Sequence, residues 1–171
     1  LMGWNSIPIR AEKSLYDLAM WCRERKDLAA YVLKTPSETL AVQLTKGHSP
    51  TQVGADEWKE LQDPFEQHLK QFGYIVFQLD FSEPLPLDHP EPMLENIKMY
   101  LRGEGVNPHE RQQASEEKRI QTAEMMLGRL KGLKLWAFRK TLAIGQTMAE
   151  VREDALADIG LGYPLLRRML H

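Results

Sequence analysis

The densest group of chemistry-bearing residues in this 171-residue sequence is "VREDALAD", residues 151–158. On one helix, Arg152, Glu153, Asp154 and Asp158 would set an anion-gripping guanidinium beside carboxylates, an arrangement suited to a phosphorylated ligand. An exposed helix face laced with i,i+4 ion pairs, each worth about 0.3 kcal/mol, explains the same residues more simply and is preferred on physical grounds. His48, His68, His89, His109 and His171 are scattered, and none is paired at the i,i+4 spacing of a helix-borne metal site. They are expected to be surface or locally bonded histidines. "DHPEP", with Asp80 and Glu83 nearby, gathers acids and an imidazole, as proline-rich surface loops commonly do, so no metal ligand is assigned. "RGEGVN" lacks both the preceding strand and the lysine of a phosphate-cradling loop, and no serine or cysteine elbow is present. Met20, Met125, Met126 and Met148 could line an adaptable apolar pocket, although filling a core is the commoner work of methionine.

The elements that would carry these residues are helical. Ser14 is read as the N-cap of a helix to about Arg25, with Leu15, Leu18, Ala19 and Cys22 on its apolar face. Short helices follow over about 27–33 and from Pro36 to about Thr45. From Asp56, residues Trp58, Leu61, Phe65, Leu69 and Phe72 recur every three or four positions, as a buried helical stripe requires. Pro64 either separates two helices or kinks one, and Gly73 is expected to close the pattern in the left-handed conformation. Residues 74–92 combine β-prone side chains with prolines 84, 86, 90 and 92. They are read as an extended strap over a helical core, docked through Ile75, Phe77, Leu79 and Phe81. Pro92 opens the next helix, which Gly103 and Gly105 end.

Asn107 and Pro108 then begin a long helix with Ile120, Ala123, Leu127 and Leu130 on one face. A second stripe runs through Leu135, Phe138, Leu142, Met148, Val151, Leu156 and Ile159. Gly128 and Gly132 favour a helical hairpin over one continuous helix, and "GLGYP" is expected to break or kink the last segment. The fold class is therefore all-α, an antiparallel helical bundle with an extended proline-rich strap over about residues 74–92, in one domain spanning 1–171.

Composition narrows the function. A single domain of this length buries roughly 70% of the surface its unfolded chain exposes, so no staple is required. The one cysteine, Cys22, lies in an apolar run and is expected to be a buried small hydrophobe in a reducing compartment. A net charge of -2 gives no footprint for nucleic acid or an anionic membrane surface. No apolar run approaches the ~18 residues that span a bilayer, and the expected location is cytoplasmic. The start at Leu1 and the uncapped amphipathic end "LLRRMLH" are read as marks of a piece of a longer protein, with Leu165, Leu166 and Leu170 offering a stripe for self-association.

"FGYIVFQLDFSEPLPLDHPEPMLENIKMYLRG", "NPHERQQ" and "QTMAEVREDALADIGLGYPLLRRML", in that order, resemble the helical segment of phosphoenolpyruvate synthase-like proteins, a family that includes pyruvate phosphate dikinase relatives and rifampin phosphotransferases. The resemblance runs from about Leu15 to the end and is strongest in the last third. It implies a segment between an ATP-grasp domain and a swivelling phosphohistidine domain of the same chain, which would be its partners, with ATP and Mg2+ used by the parent protein. No stretch matches the nucleotide-binding or phosphohistidine motifs, so the segment itself is expected to hold no cofactor or metal and to catalyse nothing. Family members often carry Gly-His where this sequence has Gly73 and Tyr74; the tyrosine keeps a polar hydroxyl but does not titrate near neutrality.

Three functions follow: a scaffold segment of a phosphotransferase directed at pyruvate, an acceptor-binding segment of a rifampin or other small-molecule phosphotransferase, or a free-standing helical interaction module. The residues assigned to small-molecule or domain contacts are Tyr74, Phe77, Met125, Arg152, Arg167 and Arg168.

Overall fold

Pro8 lies in the first turn of α1 (Ile7–Arg23), where its missing N–H costs nothing, so this helix starts seven residues before the Ser14 expected to cap it. Ser14 is instead an inner position whose hydroxyl meets a side chain far along the sequence. The computed structural model describes residues 5–75 and 84–170; Phe77, Leu79 and Phe81 of the strap lie outside them. Among the described residues there are seven helices and no strand, so the chain is all-α.

α2 (Lys26–Lys34) and α3 (Ser37–Lys46) follow, the latter closed by Gly47 at φ 71°, a conformation that favours glycine. α4 (Ala55–Phe72) is one helix with Pro64 inside it, which settles the choice between two abutting helices and one. Its stripe of Trp58, Leu61, Phe65, Leu69 and Phe72 is buried throughout. α5 (Glu91–Leu101) begins with Pro92 in its first turn, as expected. Leu28, Leu40, Leu44, Trp58, Phe65, Leu94 and Ile97 join α1–α5 into one core, with Cys22 fully buried in it. Burial pushes the Cys22 thiol up to about 12, leaving it an inert apolar filler.

A polar staple ties the start of α3 to α5. Buried Lys98 donates from Nζ to Ser37 Oγ at 2.8 Å and to Glu95 Oε1 at 3.2 Å, and the Ser37 hydroxyl also donates to Glu95. The Ser37 hydrogen bond, followed by that of Lys98, holds the Glu95 carboxyl below the usual range. A buried ammonium is tolerable on these terms, because both of its partners are oxygen acceptors.

Gly73 does not adopt the expected left-handed conformation: its φ is -67°. Its N–H closes onto Leu69 O at 2.8 Å and its carbonyl accepts from Leu87 N at 2.8 Å. A Cβ there would lie 2.4 Å from Leu69 O and 3.1 Å from the Leu87 Cβ, so it is close approach that calls for glycine. The described end of the strap curls into a turn, with Asp88 and His89 N–H groups both meeting Leu85 O, and Leu85 is buried.

α6 (Pro108–Arg129) is capped as its sequence predicts, Asn107 Oδ1 accepting from His109 N at 3.0 Å. It stops at Leu130, whose backbone is extended, and α7 (Gly132–Leu170) starts at Gly132 with φ 58°. Residues 115–126 of α6 and 138–149 of α7 line the same groove, so the pair is an antiparallel hairpin. The two stripes are only partly covered. Ala123, Leu127, Leu130, Leu135, Phe138 and Leu142 are half-buried, whereas Ile120, Met148, Val151 and Ile159 are exposed. Nor does α7 stop at "GLGYP": it continues through Pro164, with Tyr163 buried and Gly160 pressed against another segment of the molecule. No helix among the described residues is long and apolar enough to cross a membrane.

Candidate functional site

α4 carries His68 three residues after Phe65 and four before Phe72, on its buried face. The side chain is 2% exposed. Its Nδ1 lies 3.0 Å from Ser14 Oγ of α1, its ring tilts against Phe72 with centroids 5.1 Å apart, and its Nε2 has no hydrogen-bond partner among the described residues. Burial lowers the imidazole to about 4, since protonation would place a charge where little water can solvate it. His68 is therefore neutral at physiological pH, and the sequence expectation of a surface or locally bonded histidine is corrected. The signal was present: position 68 falls on the periodic stripe running from Trp58 to Phe72.

His68 lines a cavity of about 320 Å³ where α1, α4 and α5 meet. Ile9, Leu15, Phe72, Ile75, Met93 and Met99 give it apolar walls. One edge is polar: Tyr100 donates its hydroxyl to Glu12 Oε1 at 3.0 Å, and Arg111 from α6 donates to the other Glu12 oxygen. Burial, then the Glu12 charge, pushes the Tyr100 phenol up to about 12, so the hydroxyl stays a donor.

Ser14 and His68 form a hydroxyl–imidazole pair, yet no carboxylate orients the imidazole. A base near 4 abstracts a hydroxyl proton poorly at neutral pH. Ser14 also sits within a regular helix rather than on a turn that would present its hydroxyl. The arrangement can hold and orient a ligand; it is not built to transfer protons.

Of the residues expected to make contacts, the described Tyr74, Met125 and Arg152 do not line this cavity, although Tyr74 packs behind its wall. Tyr74 is half-buried beside Ile7, Ala11, Phe72 and Ile75, and its carbonyl faces α7 so closely that a Cβ on Gly160 would lie 1.9 Å from it. Phe77 lies outside the described residues. Met125 is half-exposed on α6, Arg152 is exposed on α7, and the side chains of Arg167 and Arg168 are outside the description. Of the acidic cluster, Asp154 Oδ1 accepts the Ile7 N–H at 3.0 Å and so supplies a cap to α1 that its own sequence lacks.

A second groove, about 710 Å³ and open, runs between α6 and α7 past Met126, Phe138 and Leu142. Among the described residues no group of three or more histidine, cysteine or acidic side chains could hold a metal ion. His109 pairs with Asp17 at 2.7 Å, and His89 lies 3.8 Å from Glu91.

No curated protein and no solved structure matches this chain. A family model does, over residues 6–153, covering α1 through α6 and more than half of α7. The chain thus belongs to the family described as the rifampicin phosphotransferase fourth domain.

Proposed function

We propose that this chain is the helical, non-catalytic segment of an ATP-dependent phosphotransferase that works through a phosphohistidine, and that it holds its catalytic neighbours in place. The family match over residues 6–153 carries the reading. The site chemistry supports it, since the one histidine buried among the described residues is neutral and its one hydrogen-bond partner there is a serine. The described residues gather no carboxylates for Mg2+, and the sequence offers no glycine loop with a lysine for phosphate. ATP and Mg2+ would therefore be held by an ATP-grasp partner, and the phosphoryl group carried by a histidine domain, of the same polypeptide. Phosphoryl transfer depends mainly on positioning, so a rigid helical frame between mobile domains contributes through geometry. ATP as donor and a single inert thiol fit the cytoplasm.

The family description favours a small organic acceptor of the rifampicin kind over the pyruvate of phosphoenolpyruvate synthase-like relatives. The complete polypeptide around this segment, supplied with ATP, Mg2+ and either rifampicin or pyruvate, distinguishes the two through release of AMP and phosphate. Release that depends on rifampicin is expected. Strict dependence on pyruvate would defeat the small-molecule reading, and dependence on neither would defeat both.

A further inference from the structure

We propose that the outward face of α7 binds a second copy of this chain, whose α7 lies antiparallel across it on a two-fold axis passing between residues 149 and 150. This pairing does not depend on the phosphotransferase reading. α7 turns Phe138, Leu142 and Ala149 towards α6, and Tyr163 is buried farther along. The other side, which on a helix facing solvent would be polar, instead presents Leu133, Ile144, Met148, Val151, Ile159 and Leu166 at helical spacing, between 42% and 78% exposed. At 1.5 Å per residue this stripe is about 50 Å long, far beyond the scattered single apolar side chains normal for a monomer's surface.

The order of residues along the stripe identifies its occupant. In a symmetric dimer one surface must complement itself, and a two-fold axis perpendicular to the helix sets each flank of α7 against the same flank of the partner, running the other way. Reversal about the midpoint of 149 and 150 brings Met148 opposite the partner's Val151, Ile144 opposite the partner's Ala155 and Leu133 opposite the partner's Leu166. Ile159 then lies over the aliphatic stem of the partner's Lys140. Charge follows the same symmetry. Lys140 and Asp158 are both exposed, and their separation of five helical turns puts them on one flank of the stripe. The reversal that matches the apolar side chains also sets Lys140 beside the partner's Asp158, once on each side of the axis. A parallel pair offers no such match, because Lys140 and Asp158 would stand about 27 Å apart along the helices.

Sedimentation equilibrium of the whole chain tests the pairing. At about 100 µM a mass twice the 19.7 kDa of one chain is expected, with a Kd on the order of 10 µM. Met148→Glu places a carboxylate from each copy beside the axis and should weaken the dimer at least about tenfold; Lys140→Glu should weaken it about tenfold at low ionic strength. Both residues are exposed, so the helical circular dichroism signal is kept. Adding Asp158→Lys to Lys140→Glu should restore the wild-type Kd, a rescue that requires these two flanks to meet head to tail. A monomeric wild-type chain at that concentration would mean that another segment or protein covers this face, and it would overturn the proposal without any variant having to fold. A dimer indifferent to Met148→Glu, or no rescue by the double variant, would overturn it as well. Every outcome is read without ATP or rifampicin, so the phosphotransferase reading stands or falls separately.

Discussion

Phe65 and Met148 each sit on an apolar stripe of a helix, yet Phe65 is 0% exposed and Met148, like Trp136 beside that stripe, is 60% exposed. The contrast extends to their surroundings. Across α1–α5 every stripe meets another, and the result is a continuous core from Leu15 to Leu101. In the α6–α7 hairpin the groove between the two helices stays open, and Leu133, Ile144 and Met148 face outward. Hydrophobic periodicity therefore specifies a face, and the rest of the molecule decides whether that face is covered. What anchors the hairpin is a small set of specific contacts: Asp154 on the start of α1, Gly160 against Tyr74, and Arg111 on Glu12.

The comparison is broken most directly by removing a ring from each region. Phe65→Ala should cost about 3–5 kcal/mol in denaturant unfolding, whereas Trp136→Ala should change stability by less than about 0.5 kcal/mol. Similar values for the two would mean that both helices are packed alike. The next effect is set by pH. The folded-state pKa of His68 is depressed from 6.5 to about 4, so between those values the unfolded chain takes up a proton that the folded chain refuses. Its contribution is full above pH 6.5 and falls by about 3 kcal/mol as pH drops through 6.5 to 4. Stability curves for the wild type and His68→Gln should converge over that window; parallel curves would show that the ring is solvated.

Two glycines of α7 sharpen the contrast within one helix. Gly160→Ala drives a Cβ to 1.9 Å from the Tyr74 carbonyl and should destabilise by about 1–3 kcal/mol. Losing the interhelical cap through Asp154→Ala should cost about 1 kcal/mol, read from the same unfolding measurement. Gly145→Ala meets nothing within 4 Å and should stabilise by about 0.5–1 kcal/mol. A matching sign at 145 and 160 would remove the contact that pins α7.

Much of this fold was legible where the determining residues are neighbours in sequence. Asn107 and Pro108 announce α6, Pro92 announces α5, and the glycine at 132 marks the hairpin turn because its backbone needs a positive φ. The errors arise where packing overrides the local residue type. Ser14 has the residue type of an N-cap, but its oxygen serves a histidine 54 positions on, and a proline at position 8 had already started the helix. Gly73 was misread because its need for glycine comes from close approach to the Leu69 carbonyl and to Leu87 rather than from a left-handed backbone. α7 persists through Pro164 although proline withholds a backbone donor from the carbonyl of Gly160.

The candidate site was the least legible. Tyr74, Met125 and Arg152 were selected for their chemistry, but chemistry alone does not say which side chains converge. His68 looked ordinary in composition; its place on the α4 stripe was the available signal, and its unpartnered nitrogen appears only when α1 and α5 close around it.

The account's central claim is that these helices position other groups and possess no reactive centre themselves. The purified chain, incubated with ATP, Mg2+ and rifampicin, tests it by following nucleotide turnover and by intact-mass measurement of the protein. Unchanged nucleotide and an unchanged protein mass are the predicted result. Turnover, or a phosphoryl group on any side chain of the 171 residues, would contradict it.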